Sequence, residues 1–251
     1  MSPGREGAGE GETPRTVVLH YHLFKCAGTS VDAVLQRAFP GRWRTREFER
    51  HGGDNSAEVA AWIAEEADAR AFSSHTMVGP VPHVPGVRLV PFVMLREPVA
   101  RILSAYLFER SQDADTLGAR AAGAHDLAGY VAAQEGRSRQ CRNFQTSRLA
   151  THGPGSGDEF ARATAALDLF PVVGAVERFA ASMARLGEVA SGAPFPSDER
   201  RNASPRTPER EALAADPAIE RLRRANRDDA RLHAEALRRL DVNGAGRQPA
   251  A

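Results

Sequence analysis

The sequence predicts an α/β fold: a parallel β-sheet flanked by helices, followed by a helix-rich C-terminal part. Two long apolar, β-branched runs have the length of buried strands, and each leads through a short polar segment into a helical pattern of apolar residues. Strands that alternate with helices are typical of a parallel, doubly wound sheet. A chain of 251 residues can form one domain with a sizeable core. We therefore predict a single domain over 16–241, with flexible tails at 1–15 and 242–251.

The opening strand, turn and helix occupy residues 16–39. Residues 16–24 are mainly β-branched and aromatic, as in a buried strand, and residues 31–39 place apolar residues at helical spacing. Gly28 permits a tight turn between them, and Thr29 and Ser30 are suited to cap the helix. Backbone N–H groups and the positive end of the helix dipole would face an anion at this turn. The segment therefore predicts an anion site formed by Lys25, Cys26, Ala27, Gly28, Thr29 and Ser30.

Further elements continue the alternation of strands and helices along the chain. Strands are predicted at 71–74, 87–95 and 171–176, and helices at 56–69, 99–110, 125–135, 138–150, 158–169, 177–190 and, in two or three pieces, 209–240. Proline is awkward inside a central strand, so Pro91 predicts a bulge or a strand that starts nearer Phe92. Polar or Gly/Pro-rich loops, in which substrate specificity is expected, connect the elements at 42–55, 76–86, 111–124 and 191–208.

Lys25 is the only lysine among the 33 lysine and arginine residues of the chain. An ammonium group is a compact, mobile charge that can follow the charge developing on a leaving oxygen, whereas the guanidinium group is bulkier and fixed in geometry. The position of Lys25 in the turn therefore indicates a catalytic role. The alternative is chance placement on a solvated turn.

Three polar residues follow the ends of predicted strands: Lys25, His75 and Arg96. Ligands of open α/β sheets bind beyond the carboxyl ends of the strands, so we expect these three residues to share one site. His75 is the candidate general base, because imidazole titrates in the physiological range; a structural role is the alternative. Other groups that could act as the base are His83, Glu47 and Glu49.

Arg96 begins the run REPVARILSAY, which starts at the end of the 87–95 strand and enters the next helix. Ser104 lies two turns into that helix, so a guanidinium group and a hydroxyl group could converge on one anion. Alternatively, Arg96 pairs with Glu97 or Glu109, and Ser104 packs within the helix. A strand of a Mg²⁺-dependent nucleotide hydrolase would end here in aspartate, so the arginine favours a metal-free site.

Two of these segments resemble the nucleotide sites of one enzyme family. FKCAGTS at 24–30 is similar to the 5′-phosphosulfate loop, roughly PKTAGTS, of carbohydrate-type sulfotransferases that use 3′-phosphoadenosine 5′-phosphosulfate (PAPS). Phe24 replaces the proline and Cys26 the first threonine. REPVARILSAY matches the family's 3′-phosphate segment, R-[DE]-P-x-x-R-x-x-S-x-Y, at every fixed position. The loop is not a Walker A element, since its lysine precedes its only glycine. Softer similarities lie at 142–149, at 173–179 and at Asn202.

The resemblance implies a P-loop-like fold and the transfer of a sulfuryl group from PAPS to a hydroxyl group of a sugar, glycan or small molecule. It implies that Lys25 and His75 are catalytic, that residues 25–30 hold the 5′-phosphate, and that Arg96 and Ser104 hold the 3′-phosphate. PAPS is the expected cofactor, and no metal is expected. Golgi members of the family carry a membrane anchor, so this chain is expected to be a soluble, bacterial-like member. A P-loop-type kinase or nucleotide hydrolase and a non-catalytic nucleotide-binding relative are the alternatives.

Composition argues against several other classes of protein. A net charge of +1 provides no broad electrostatic footprint for nucleic acid. No apolar run is long enough to span a bilayer, and the N-terminal residues lack the apolar core of a signal peptide. Two cysteines argue against a disulfide scaffold and favour a cytoplasmic location. A metal site around His20 and His22, with Cys26 nearby, is not expected, because no full set of converging ligands is identifiable.

Overall fold

A computed structural model describes residues 14–49, 53–197 and 208–245. It confirms the α/β fold, with a five-stranded parallel sheet flanked by helices. The strands are β1 (Arg15–Tyr21), β2 (Trp43–Thr45), β3 (Ala71–Ser74), β4 (Val87–Leu95) and β5 (Val172–Ala175). The α-helices of these described segments are α1 (Gly28–Ala38), α2 (Ser56–Glu65), α3 (Pro98–Arg110), α4 (Leu117–Ala124), α5 (Leu127–Gln134), α6 (Phe144–Leu149), α7 (Glu159–Leu167), α8 (Phe179–Ser191), α9 (Pro208–Ala214), α10 (Ala218–Ala225) and α11 (Arg227–Ala245).

The sheet has the strand order β2-β3-β1-β4-β5, and all of its pairs are parallel. Tyr21, the last residue of β1, lies opposite Ser74 of β3 and Val93 of β4. Leu95, the last residue of β4, lies opposite Ala175 of β5. The carboxyl ends of these four strands therefore share one edge. Because β3 lies on one side of β1 and β4 on the other, the chain changes direction at β1, which is where open α/β sheets bind ligands.

The core of the molecule is built on the central strands. Residues 17–19 of β1 and 92–95 of β4 are almost completely buried and pack with Leu35 of α1 and Ile63 of α2. Strands that are covered on both faces read as continuous apolar runs, which explains why the two runs were recognisable in the sequence. A second apolar cluster joins α3, α4, α5 and α10, and it includes the fully buried Tyr130.

Pro91 lies inside β4 without interrupting it, so the predicted bulge or later start is wrong. The residue is opposite Leu19 of β1, whereas pairing with β5 begins only at Phe92, opposite Val172. At Pro91, β4 therefore has a neighbouring strand on one side only. A proline that lacks an N–H group is tolerated at such a position, as it is on an edge strand.

Several predicted boundaries need correction. The first strand ends at Tyr21 rather than at residue 24, and the following helix begins at Gly28 rather than at residue 31. The helix predicted at 138–150 is reduced to α6. The short strand β2 and the helix α4 occupy segments that were predicted to be loops. The predicted loop at 191–208 lies mostly outside the described residues.

The helix-rich C-terminal part consists of α9, α10 and α11, as the sequence predicts. Helix α11 continues to Ala245, beyond residue 242, where the predicted tail begins. Asp229 of α11 is fully buried and accepts hydrogen bonds from the backbone N–H groups of Gln145 and Thr146, at 3.1 and 2.7 Å, so it covers the start of α6. No helix in the described segments combines the length and the apolar character that a bilayer crossing requires.

Candidate active site

The carboxyl edge of the sheet brings together the three residues that the strand-end argument selected. His75 directly follows β3, Arg96 directly follows β4, and Lys25 lies in the turn after β1. The Nη1 group of Arg96 donates a hydrogen bond of 3.1 Å to the backbone carbonyl of Lys25. The turn after the central strand is therefore attached to the end of its neighbour.

The turn between β1 and α1 has an unusual backbone. Lys25 and Ala27 have φ angles of 60° and 59°, although neither is a glycine. Left-handed residues between right-handed ones turn successive N–H groups toward one side and form an anion-binding concavity. Non-glycine residues in this conformation are uncommon and concentrate at ligand sites.

Helix α1 begins without a side-chain cap, so the expectation that Thr29 and Ser30 act as caps is wrong. Its N-cap is Ala27, which has no side chain able to accept a hydrogen bond. Thr29 and Ser30 lie within the first turn, because the helix starts at Gly28. The first N–H groups of a helix need partners from outside it, and the positive end of the helix dipole lies at the same place. The turn thus retains the features of the predicted anion site.

Cys26 faces the protein interior rather than the turn's outer side. Its side chain is 1% exposed and its thiol donates toward the Oε1 atom of Gln145 at 3.5 Å. Burial raises the pKa of this thiol to about 12, so it stays protonated at neutral pH. The contact of Cys26 with a ligand, which was predicted from the loop as a whole, can involve only its backbone.

The Lys25 side chain lies against an aromatic ring. Its Nζ atom is 4.0 Å from the centre of the Phe108 ring, within the range of a cation–π contact. Partial burial and the charge of Arg96 lower the pKa of Lys25, and the carboxylate of Glu109 opposes them. A second cation beside Lys25 disfavours its charged form, and an anion bound between the two would reverse that effect.

Gln145 connects the turn and the end of β4. Its side-chain Oε1 accepts a hydrogen bond from the N–H of Arg96 at 2.9 Å, and its Nε2 donates to the carbonyl of Arg96 at 2.8 Å. The side chain is fully buried. In the sequence, the 142–149 segment shows only a soft similarity to the sulfotransferase family, which indicates the fold and not the role of this glutamine. The bidentate role of its glutamine depends on where α6 packs, which no local pattern reveals.

The polar residues of the REPVARILSAY run have separate tasks. The Glu97 carboxylate accepts hydrogen bonds from Val99 and Ala100 at 3.2 and 2.6 Å and so caps α3. Arg101 is fully buried, its Cζ atom lies 4.6 Å from the centre of the Phe144 ring, and it donates a hydrogen bond to the carbonyl of Gln140. Arg101 therefore has a structural role. Ser104 lies half-buried in the middle of α3. Its convergence with Arg96 on one anion stays a prediction.

His75 is held by neighbours on several sides. Its Nδ1 lies 2.9 Å from Oε1 of Glu47, and its backbone N–H donates to the same oxygen at 3.2 Å. Arg148 donates a hydrogen bond of 2.8 Å to its carbonyl. Glu47, which the sequence offered as an alternative base, is thus a partner of His75. His83 lies exposed in the 76–86 loop.

A second group of titratable residues lies beneath His75, and the sequence did not identify its centre. The carboxylate of Asp32 is 2.9 Å from Nδ1 of His20 and 3.2 Å from Nδ1 of His22. In the part of the chain that the structure describes, these three residues form the one cluster that could hold a metal ion. Asp32 supplies the third converging group whose absence argued against a metal. It was missed because it comes from α1, and only tertiary packing brings it to β1.

A cleft of about 880 Å³ opens beside these residues. The cleft is formed by the segments that follow β1 and β3, by α3, α4 and α6, and by residues 134–140. Its polar and aromatic lining includes His75, Phe108, Glu109, Phe144 and Arg148. His75 is 47% exposed, so a molecule in the cleft can reach its ring. Of the segments in which substrate specificity is expected, 111–124 contributes to this lining through residues 112–118.

The softer sequence similarities occupy structural positions near the site. Glu177, in the short 3₁₀ helix that follows β5, accepts a hydrogen bond of 3.1 Å from the N–H of Glu97 and pairs with His233 of α11 at 2.7 Å. It therefore joins the ends of β4 and β5 to the C-terminal helix. Asn202 lies outside the described residues.

Comparison with known proteins places the chain in a family without assigning an activity. No protein-family model matches it. It is 37% identical over 184 residues to an uncharacterized protein of Archaeoglobus fulgidus, an alignment that covers 69% of this chain and 73% of the relative. The chain belongs to the same family as that archaeal protein.

Proposed function

We propose that the protein is a PAPS-dependent sulfotransferase that acts on a hydroxyl group. The observation that carries the proposal is the attachment of Arg96 to the Lys25 turn at the carboxyl edge of the sheet, through the 3.1 Å hydrogen bond. The two motifs that resemble the family's phosphate sites are far apart in the sequence, and this bond joins them.

The residues of the site suit a nucleotide that carries two separate phosphate groups. The Lys25 turn combines left-handed residues, an uncapped helix start and an ammonium group, which is a donor set for one anion. Arg96, with Ser104 as its proposed partner, would hold the 3′-phosphate through charge-assisted hydrogen bonds. Residues 25–30 would hold the 5′-phosphate through their backbone N–H groups.

Each catalytic residue has one task in the proposed mechanism. PAPS supplies the sulfuryl group and leaves as adenosine 3′,5′-bisphosphate. His75 accepts the proton of the attacking hydroxyl group, because its Nδ1 is engaged by Glu47 and its ring is exposed to the cleft. A carboxylate on Nδ1 orients an imidazole and stabilises its protonated form. Lys25 stabilises the negative charge that develops on the leaving phosphate oxygen.

The cleft is proposed to bind the acceptor. Aromatic side chains such as Phe108 and Phe144 offer flat apolar surfaces, and Arg148 and Glu109 offer polar groups. This combination suits the two sides of a sugar ring or of a small hydroxylated molecule. We further propose a cytoplasmic location, since Cys26 and Cys141 are free, buried thiols, as is usual in a reducing compartment.

Calorimetric titration with adenosine 3′,5′-bisphosphate in EDTA, with ATP measured beside it, tests the proposal. We expect metal-free binding of the bisphosphate that is at least about tenfold tighter than binding of ATP. ATP has no 3′-phosphate, so it would lack the charge-assisted contact proposed for Arg96. The acceptor is then sought with labelled PAPS. Absence of binding, or a Mg²⁺-dependent preference for ATP, would contradict the proposal and favour a kinase or nucleotide hydrolase.

A further inference from the structure

Asp32 is the centre of a buried network below the cleft. It lies in the second turn of α1, and its two carboxylate oxygens are engaged by different imidazoles: Oδ1 by His20 at 2.9 Å and Oδ2 by His22 at 3.2 Å. Its side chain is 15% exposed. A carboxylate between two Nδ1 atoms accepts an N–H from each ring, and so it fixes which nitrogen of each ring carries the proton.

His22 lies between the Lys25 turn and His75. A methyl group at Gly28 would come within 1.9 Å of the Cδ2 and Nε2 atoms of His22, so the ring rests against the first residue of α1. On its other side, the centre of the His22 ring is 3.7 Å from the centre of the His75 ring, with 30° between the planes. His22 is 9% exposed. It therefore separates the start of α1 from the proposed base.

The same network reaches β3 by a second route. Nδ1 of His20 also lies 2.9 Å from the hydroxyl oxygen of Ser73, two residues before His75. Asp32 thus connects α1 to the backbone that carries His75 as well as to the ring stacked on it. Two connections from one carboxylate constrain both the position and the tilt of the His75 ring.

We infer that Asp32 and His22 are positioning residues that hold the His75 ring at a fixed place and angle relative to the Lys25 turn. Glu47 holds one edge of the His75 ring, and His22 supports its face. Because His75 is half exposed and precedes a loop rich in glycine and proline, the support of its face limits the orientations that the ring can adopt. The inference rests on the proposed function for the role given to His75.

A double-mutant cycle tests whether Asp32 acts through His75. In the otherwise native protein, we expect Asp32→Asn to lower kcat by about 10- to 100-fold, as for other carboxylates that orient a functional histidine. In the His75→Ala background the same substitution should change kcat by less than about threefold, because residues that act as a unit are not additive. Asp68→Asn is the matched control: Asp68 is 66% exposed and pairs with Arg44, and its substitution should leave kcat unchanged in both backgrounds.

The geometry is also measurable without turnover. In proton NMR spectra, with the His75 resonances assigned by comparison with His75→Ala, we expect the His75 ring protons to move when His22→Asn removes the stacked ring. Asn retains a donor for Asp32, so the network itself is kept. Asp32→Asn should move the same resonances, because the amide has one acceptor oxygen and can accept an N–H from only one of the two imidazole rings.

The outcomes separate the inference from the proposed function. Equal losses of kcat from Asp32→Asn in both backgrounds, or unchanged His75 resonances in His22→Asn, would overturn the positioning role. Resonances of His20, His22 and His75 in the native protein that change on addition of EDTA would show a bound ion at His20, His22 and Asp32, and would overturn it as well. A native protein that fails to bind adenosine 3′,5′-bisphosphate contradicts the proposed function, and the NMR comparison still decides the inference.

Discussion

The side chain of Arg96 and the backbone carbonyl of Lys25 are joined by a hydrogen bond of 3.1 Å, which connects the end of β4 to the turn after β1. The bond lets Arg96 influence the site in two ways, through its own charge and through the shape of the turn. Substitutions of these two residues should nevertheless affect different kinetic constants, because their proposed ligands differ.

Replacement of Lys25 by alanine should mainly lower turnover. The ammonium group is proposed to stabilise charge that develops during the reaction, so its loss should reduce kcat by about 100-fold or more. Affinity for adenosine 3′,5′-bisphosphate should fall by less than about tenfold, since the backbone N–H groups of the turn are also proposed to contact the phosphate. Initial rates and calorimetry measure the two effects, with Lys25→Arg as the variant that keeps the charge. Equal, mild effects on both constants would contradict the role of Lys25.

Replacement of Arg96 by alanine should mainly weaken nucleotide binding. Loss of a charge-assisted contact worth about 1.5–3 kcal/mol corresponds to a Kd about 10- to 150-fold higher for the bisphosphate. Arg88→Ala provides the control, because Arg88 lies in the same strand near its opposite end and contacts Thr16 and the carbonyl of Val189. An unchanged Kd in Arg96→Ala would exclude Arg96 from the phosphate site.

Substitution of Gly28 in α1 by alanine should be far more costly than the same substitution at Gly123 in α4. A methyl group at Gly28 would overlap the His22 ring, at 1.9 Å from two of its atoms, so Gly28→Ala should lower the free energy of unfolding by about 1–3 kcal/mol. A methyl group at Gly123 in α4 would meet nothing within 4 Å, and Gly123→Ala should raise that free energy by about 0.5–1 kcal/mol. Urea unfolding measures both; a neutral Gly28→Ala would show that His22 does not rest on α1.

Acidification should destabilise the protein through His152. Burial lowers the pKa of His152 to about 4, although its hydrogen bond to the carbonyl of Gly79 works in the opposite direction. The folded state therefore resists protonation of this ring, whereas the unfolded state takes up a proton near the ordinary histidine pKa of about 6.5. The free energy of unfolding should be fully retained above pH 6.5 and should decrease as the pH falls from there to about 4. The loss should reach up to roughly 3 kcal/mol.

The His152 prediction is checked by urea unfolding between pH 7 and pH 4. His152→Asn should flatten the dependence of the unfolding free energy on pH over this interval. His83→Asn, at an exposed position, should leave it as in the native protein. A native curve and a His152→Asn curve that run parallel would contradict the prediction.

The parts of the fold that the sequence predicts are those in which local pattern and burial agree. Strands β3 and β4 were predicted at their observed bounds. Strand β4 is an almost continuous apolar run, as is usual for a strand covered on both faces, whereas β3, AFSS, is delimited by the polar and Gly/Pro-rich segment that follows it. The short strand β2 could not be predicted, since its three residues are strands only through pairing with β3. Helix α4, LGARAAGA, has mostly small residues, so its helical spacing gives little contrast between faces.

The candidate site likewise contains residues that the sequence predicts and residues that only tertiary packing brings there. Lys25, His75 and Arg96 were predicted to meet because the ends of parallel strands share an edge, and topology alone places them there. Asp32 and Gln145 carry no local sign of their roles. One belongs to an amphipathic helix and the other to a six-residue helix, and each reaches the site only through packing between segments distant in the chain.

The central position of β1 has a consequence for synthesis on the ribosome. Val18 pairs with Ala71, and Thr16 pairs with Arg88, so the central strand of the sheet is translated long before either of its neighbours. At ordinary rates of translation this unpaired run stays exposed on the nascent chain for on the order of several seconds. Recombinant production should therefore benefit from slow expression at low temperature or from added chaperones, whereas fragments that end before residue 95 should aggregate.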